Sequence, residues 1–195
     1  MSAGDLTPLS SRFVPPWLEM FLATEYRGGE SVPARGRRID CPGRNRIGGR
    51  MDKINPLYTA TATETGGRNG HTESSDGIIK ADLSVPKEMG GPGKPGTATP
   101  EHLFAAGYAA CFGGAVDFVG KQHKKDASKA RVTCAVSIGP REGGGFGIAV
   151  KMHVEDKSLP QAELAALVTE AHEKICPYSH ATRGNVDVQF EVVGA

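Results

Sequence analysis

An α+β fold with antiparallel strands is the class this sequence predicts, on three observations. From Leu103 to Val116 there is no charged residue, and small residues alternate with large ones, the composition of a helix enclosed by protein on every side. Short alternating runs bounded by glycine turns lie before and after that stretch. An amphipathic helix and a closing strand come last, so strands and helices do not alternate as a doubly wound parallel sheet requires.

The elements follow in order. Leu57 to Glu64 reads as a strand, Gly66-Gly67-Arg68-Asn69-Gly70 as a tight connection and His71 to Ser74 as the return strand. Ser75-Asp76-Gly77 turns into a further strand, Ile78 to Val85. Gly90-Gly91-Pro92-Gly93 and Pro95-Gly96 exclude regular structure between Pro86 and Ala98. Thr99 then supplies an N-cap and Pro100 suits the first helical position, which starts the apolar helix that runs toward Gly120. Lys121 to Lys129 is a solvated basic connection. Val132, Cys134, Val136 and Ile138 alternate onto one face of a strand over Ala130 to Ile138, and Gly143-Gly144-Gly145 turns it into Phe146 to Glu155, a hairpin. Ser158 and Gln161 stand at capping-box spacing with Pro160 near the first turn, and Leu164, Leu167, Val168, Ala171 and Ile175 form one helical stripe. Pro177 ends that helix, which places Cys176 at its C-terminal end, and Val186 to Val193 closes the chain. Short strands cannot cover an all-apolar helix on every side, so the sequence predicts a homodimer whose helices pack between sheets of both chains.

The charge is divided unevenly. Residues 1–50 hold eight arginines, no lysine and five acids, a local charge of +3, against 15 basic and 17 acidic residues, −2, over residues 51–195. The first segment has no period and reads as an N-terminal extension, disordered or a linker; residues 51–195 form the domain. A net charge of +1 gives no reason to expect nucleic acid or a membrane surface as partner. The charge-free run is too short to span a bilayer, and Pro15, Pro16 and Glu19 break the apolar patch that a secretory signal would need. Cys41, Cys111, Cys134 and Cys176 are too scattered for a disulfide scaffold, which points to a reducing, cytoplasmic location.

The thiols carry the chemistry. Burial raises the pKa of a thiol, so Cys111 inside an apolar helix becomes a nucleophile only beside a fixed cation. Arg68, in its glycine turn, and Arg183, in Ala181-Thr182-Arg183-Gly184-Asn185, are the two candidates. Cys176 at a helix C-terminus faces the end of the dipole that disfavours a thiolate. For that reason Cys176-Pro177-Tyr178-Ser179, which looks like a monothiol glutaredoxin site, reads as a decoy. Cys134 packs as a small hydrophobe and Cys41 is an incidental surface thiol. His172 and Cys176, four apart, lack the further ligands a metal needs, so no metal is expected. Neither a G-x-S-x-G elbow nor a phosphate-binding glycine motif is present.

Three separated segments, Gly90 to Gly93, Thr99 to Phe112 and Cys176 to Asn185, closely resemble the organic hydroperoxide resistance branch of the Ohr/OsmC superfamily, over about residues 57–193. His102 departs from the pattern, standing where glutamine is expected. The resemblance implies an OsmC-like fold of antiparallel sheets wrapped around a buried central helix, in an intertwined homodimer. It implies a thiol-dependent peroxidase that reduces organic hydroperoxides to alcohols. Cys111 matches the peroxidatic cysteine, Cys176 the resolving cysteine, Arg68 the catalytic arginine and Glu101 the carboxylate that holds it. A Cys111 to Cys176 disulfide would be recycled by a dithiol, dihydrolipoamide or a lipoylated protein, with no cofactor bound. Leu103, Phe104, Tyr108 and Phe112 would select fatty-acid-like peroxides. The alternatives are an OsmC-type peroxidase with another peroxide preference and a redox-sensing thiol protein without turnover. In a continuous helix Glu101 and Cys111 are about 15 Å and roughly 80° apart. One guanidinium cannot serve both, so either the helix breaks or Glu101 reaches the neighbouring subunit's arginine, and the site is expected at a dimer interface.

Overall fold

In the computed structural model, residues 53–195 are described; the extension expected over residues 1–50, with Cys41, lies outside them. The central helix, α1, spans Pro100–Gln122 without a break. Thr99 caps it through a reciprocal capping box. The Thr99 side chain accepts from the His102 backbone N–H at 3.3 Å, while the Thr99 N–H donates to His102 Nδ1 at 3.1 Å. The histidine that departs from the family pattern therefore does the work that glutamine does at the third position of a capping box. Tyr108, Phe112, Ala115, Val116, Val119 and Gly120 are buried, and each large side chain on that face contributes about 1.5–3 kcal/mol by leaving water.

The opposite face of α1 is open in the single chain, as expected of a helix that its own strands cannot cover all round. Ala106, Ala110, Gly114 and Phe118, four residues apart, are exposed, Phe118 by 49%. A shallow groove of about 410 Å³ runs beside them between Ala109, Ala110, Gly113, Gly114 and Val132. The helix, 23 residues long with a mean hydropathy of 1.4 over its most apolar 18-residue window, is long and apolar enough to cross a membrane by length and composition, where the charge-free run alone is not. Its inner face is the core of the folded unit.

That core is shared with a mixed sheet. Strands β4 (Arg131–Pro140) and β5 (Phe146–Glu155) form the expected antiparallel hairpin, pairing Val132 with Val154 and Ile138 with Ile148. β6 (Asp187–Val193) adds to β5 in parallel, Val150 opposite Val188, a departure from the all-antiparallel pairing expected. A parallel partner needs a crossover connection, and here it consists of α2 (Gln161–Glu170), one π-helical turn (Ala171–Ile175) and α3 (Pro177–Thr182). Val150, Met152 and Val154 of β5 and Leu164, Leu167 and Val168 of α2 join the buried side of α1. The capping box expected at Ser158 does not form: Ser158 bonds Asp156, and Gln161 reaches the Val192 carbonyl and the Gly194 N–H, tying the C-terminal strand to α2.

The strands before α1 make a separate antiparallel sheet of β1 (Ala62–Thr65), β2 (His71–Ser74) and β3 (Lys80–Asp82). They are shorter than the alternation predicts: among the described residues Leu57, 97% exposed, Tyr58 and Ile78 lie outside the strands with no core beneath them. Leu83 instead bridges to Ala98 and is buried, which anchors the sheet at the start of α1.

Candidate active site

Two thiols meet where α1 passes α3. Cys111 Sγ and Cys176 Sγ are 3.5 Å apart, both free, across 65 residues of sequence. Cys111 is half-buried and Cys176 is 1% exposed. Burial pushes the Cys111 thiol above its ordinary range; the Tyr178 backbone N–H acts in the opposite direction, and the neighbouring Cys176 raises it further.

Cys176 closes the π turn that ends the preceding helix, as the sequence predicts, and it also caps the start of the next one, which the sequence reading lacks. Pro177 is the first residue of α3, and the Cys176 sulfur accepts from the Ser179 N–H at 3.5 Å. Proline ends the preceding helix and is also suited to begin the next, and here both properties are used. The π turn contributes as well: the Cys176 N–H bonds the Ala171 carbonyl five residues back, at 2.9 Å.

Arg68 stands in a 3-10 turn, Gly67–Asn69, between β1 and β2. Gly66 and Gly67 take φ of 89° and 64°, which L side chains rarely adopt, and a Cβ on Gly70 would overlap the Thr65 carbonyl oxygen. The turn aims the guanidinium at Glu101, in the first turn of α1, in a two-pronged ion pair, with Nη1 3.0 Å from Oε2 and Nη2 on Oε1. Arg68 holds the Glu101 carboxyl below the usual carboxylate range, and Glu101 in turn raises the pKa of Arg68. The pair forms within one chain and the helix is unbroken, so neither of the two arrangements expected, a broken helix or a Glu101 that reaches the neighbouring subunit's arginine, is seen. The backbone of Glu101 is about 15 Å along the unbroken helix from that of Cys111, and among the described residues of one chain Arg68 is not one of the groups acting on that thiol.

Of the four apolar residues expected to meet substrate, Tyr108 and Phe112 are 0% exposed and belong to the core. Leu103 and Phe104 are half-buried. Phe104 packs near Tyr178, ring centroids 6.1 Å apart, and Tyr178 lies over Gly107, where a Cβ would meet its hydroxyl at 3.3 Å. Tyr178 and Ser179 are thus site neighbours that sequence reasoning passed over; Pro177 in the first position of a helix was the available signal. Arg183, the other candidate cation, donates to the His172 carbonyl at 2.6 Å and braces the π turn. His172 packs against Phe190, and burial lowers its pKa. Among the described residues no cluster of three metal-ligating side chains occurs.

Two free thiols thus stand at contact distance on an α+β scaffold. The family model described as OsmC-like protein matches residues 91–191. The organic hydroperoxide resistance protein of Xanthomonas axonopodis pv. citri is 52% identical over 133 residues, 68% of this chain and 92% of that protein. The crystal structure of an organic hydroperoxide resistance protein OsmC from Legionella pneumophila superposes with TM-score 0.67 at 46% identity, covering 72% of this chain and all of that one. That of OhrB from Bacillus subtilis gives 0.63 at 46%, covering 70% and 99%. The chain belongs to the Ohr/OsmC family.

Proposed function

We propose that this chain is a thiol-dependent peroxidase that reduces organic hydroperoxides to alcohols, working as a homodimer. The 3.5 Å approach of Cys111 and Cys176 carries the reading, since a disulfide needs about 2.05 Å and only a small closure separates the two states. The Cys111 thiolate attacks the distal oxygen of ROOH; the O–O bond breaks, and RO⁻ takes a proton and leaves as ROH. The sulfur, now oxidised, is the sulfenic acid Cys111–SOH. Cys176 attacks that sulfur as its thiolate, the S–O bond breaks, and hydroxide leaves with the released proton as water. An external dithiol, a dihydrolipoyl group, reduces the disulfide by two exchanges and becomes a cyclic disulfide itself. These steps belong to a reducing compartment, the cytoplasm.

The cation for the first step comes from the second subunit. The helix is unbroken and Glu101 already holds its own Arg68, so the pair acts as one unit too distant for its own Cys111. The open face of α1 at Ala106, Ala110 and Gly114, and the uncovered Leu57, Tyr58 and Ile78 that flank the strands of the first sheet, support an intertwined assembly that brings the arginine beside that sheet over the partner's thiol. Leu103, Phe104 and Tyr178 would wall the entrance and favour apolar peroxides over hydrogen peroxide. Mass spectrometry of the full chain after one equivalent of tert-butyl hydroperoxide tests this: a Cys111 to Cys176 disulfide is expected. Free Cys176 beside oxidised Cys111 would refute the roles. Turnover with dihydrolipoamide is expected to exceed turnover with glutathione, and consumption with neither leaves a sensor rather than an enzyme.

A further inference from the structure

Beside the two sulfurs lies a second link between the same two helices. The Tyr108 hydroxyl is 3.0 Å from Ser179 Oγ and 3.1 Å from Thr182 Oγ1, and Thr182 Oγ1 also donates to the Tyr178 carbonyl at 3.0 Å. Tyr108 and Ser179 are 0% exposed and Thr182 is buried. One orientation satisfies all three: Ser179 donates to Tyr108, Tyr108 to Thr182, and Thr182 to the backbone. The positions matter. Tyr108 precedes Cys111 by three residues on α1, and Ser179 follows Cys176 by three on α3, so each end of the hydroxyl link lies one helical turn from a sulfur. Ser179 also carries the N–H that touches Cys176 Sγ.

We propose that Tyr108, Ser179 and Thr182 are positioning residues for disulfide formation: their buried hydroxyl link fixes α3 on α1 so that Cys176 stays within reach of the Cys111 sulfenic sulfur. This rests on the peroxidase reading above. The covalent step is the one already balanced, with the organic hydroperoxide as oxidant; the link takes part in no bond change. It acts on the second step alone, because peroxide attack on Cys111 does not require Cys176. Holding two reacting groups at near-attack distance is worth large factors in rate, and losing one buried hydroxyl partner loosens such a link by at least about tenfold.

The test uses Tyr108→Phe and Thr182→Val in the full chain, with one equivalent of tert-butyl hydroperoxide and no reductant. Loss of the Cys111 thiol, followed in a Cys176→Ser background, reads the first step; acid-quenched disulfide formation in chains retaining Cys176 reads the second. The first step is expected to change less than about twofold and the second to slow about tenfold, with more sulfenic acid trapped by dimedone. Thr182→Ser restores the hydroxyl but not the methyl, so it is expected to recover the second-step rate even where its melting temperature falls. Disulfide formation at the wild-type rate in Thr182→Val, or both steps slowed alike, or Thr182→Ser as slow as Thr182→Val, overturns the proposal, and Thr182→Val keeps the test open if Tyr108→Phe does not fold. A wild-type chain that forms no Cys111 to Cys176 disulfide overturns the peroxidase reading first, before any of these variants is compared.

Discussion

Purifying a heterodimer of Arg68→Ala and Cys111→Ser subunits, each with its own affinity tag, measures which subunit's arginine serves a given thiol. If Arg68 works on its partner's Cys111, one of the two sites is complete, with Cys111 from the first subunit and Arg68 from the second. If it works on its own Cys111, neither site is complete. The magnitudes separate the cases. At a contact distance of about 4 Å, two unit charges interact by about 4 kcal/mol at an effective dielectric of 20, and a contacting cation lowers a neighbouring acid's pKa by about 1–3 units. At about 15 Å the interaction falls to about 0.3 kcal/mol in water, and that distance exceeds the screening length of about 8 Å at physiological salt. The thiol that burial raises would stay protonated near neutrality. Peroxide consumption with dihydrolipoamide is therefore expected at about half the wild-type rate per dimer, with both parent homodimers strongly impaired. A heterodimer no more active than its parents, or a wild-type chain that is monomeric at working concentration, refutes the reasoning.

Other outcomes follow from the same geometry. Arg68 depresses the Glu101 pKa, so the stabilisation from the pair is complete above the ordinary carboxylate range and disappears as pH falls through the depressed value. Glu101→Gln should cost about 0.5–1 kcal/mol at pH 7, allowing for solvent screening, and close to nothing in strong acid; urea titrations at both pH values check the sign. His102→Ala removes one half of the capping box and should cost about 1 kcal/mol, whereas His102→Gln should leave the melting temperature unchanged. Gly70→Ala places a Cβ on the Thr65 carbonyl and should displace the Arg68 turn. Peroxidase turnover is then expected to fall about as far as in Arg68→Ala, with little change in the far-ultraviolet circular dichroism of the helices.

The helix at the centre was legible because its signals are local: a cap, a proline and an unbroken apolar run. Cys111 and Cys176 could be singled out as chemistry, and the hairpin of β4 and β5 follows from alternation and a glycine turn. What escaped is what depends on partners distant in sequence. Nothing in Val186 to Val193 says that it pairs in parallel with β5, since alternation is the same in either direction. Tyr108 and Phe112 look like a peroxide pocket in a list of apolar residues, yet in the single chain both are fully buried, Tyr108 against α3 and Phe112 against Phe190 of β6, while Leu103 and Phe104 on the same helix are half-buried. Pro177 reads as a stop signal, and the preceding helix does end there, but the chain resumes as a helix at once and gives Cys176 a second capping role that a stop signal does not announce.

The π turn ahead of Cys176 has one residue more than an α-helix would place there. Burial passes from Ala171 to Cys176, five residues on, instead of to Ile175. The extra residue rotates everything after it by about 100°. A deletion anywhere from His172 to Lys174 would keep both cysteines, the arginine, the glutamate and the whole Cys-Pro-Tyr-Ser segment, yet it would bring the following residue round to where Ile175 now lies and turn the second sulfur away from the first. The approach of the two sulfurs is thus held by a count of residues, so two chains carrying identical motifs can differ in whether those sulfurs meet at all.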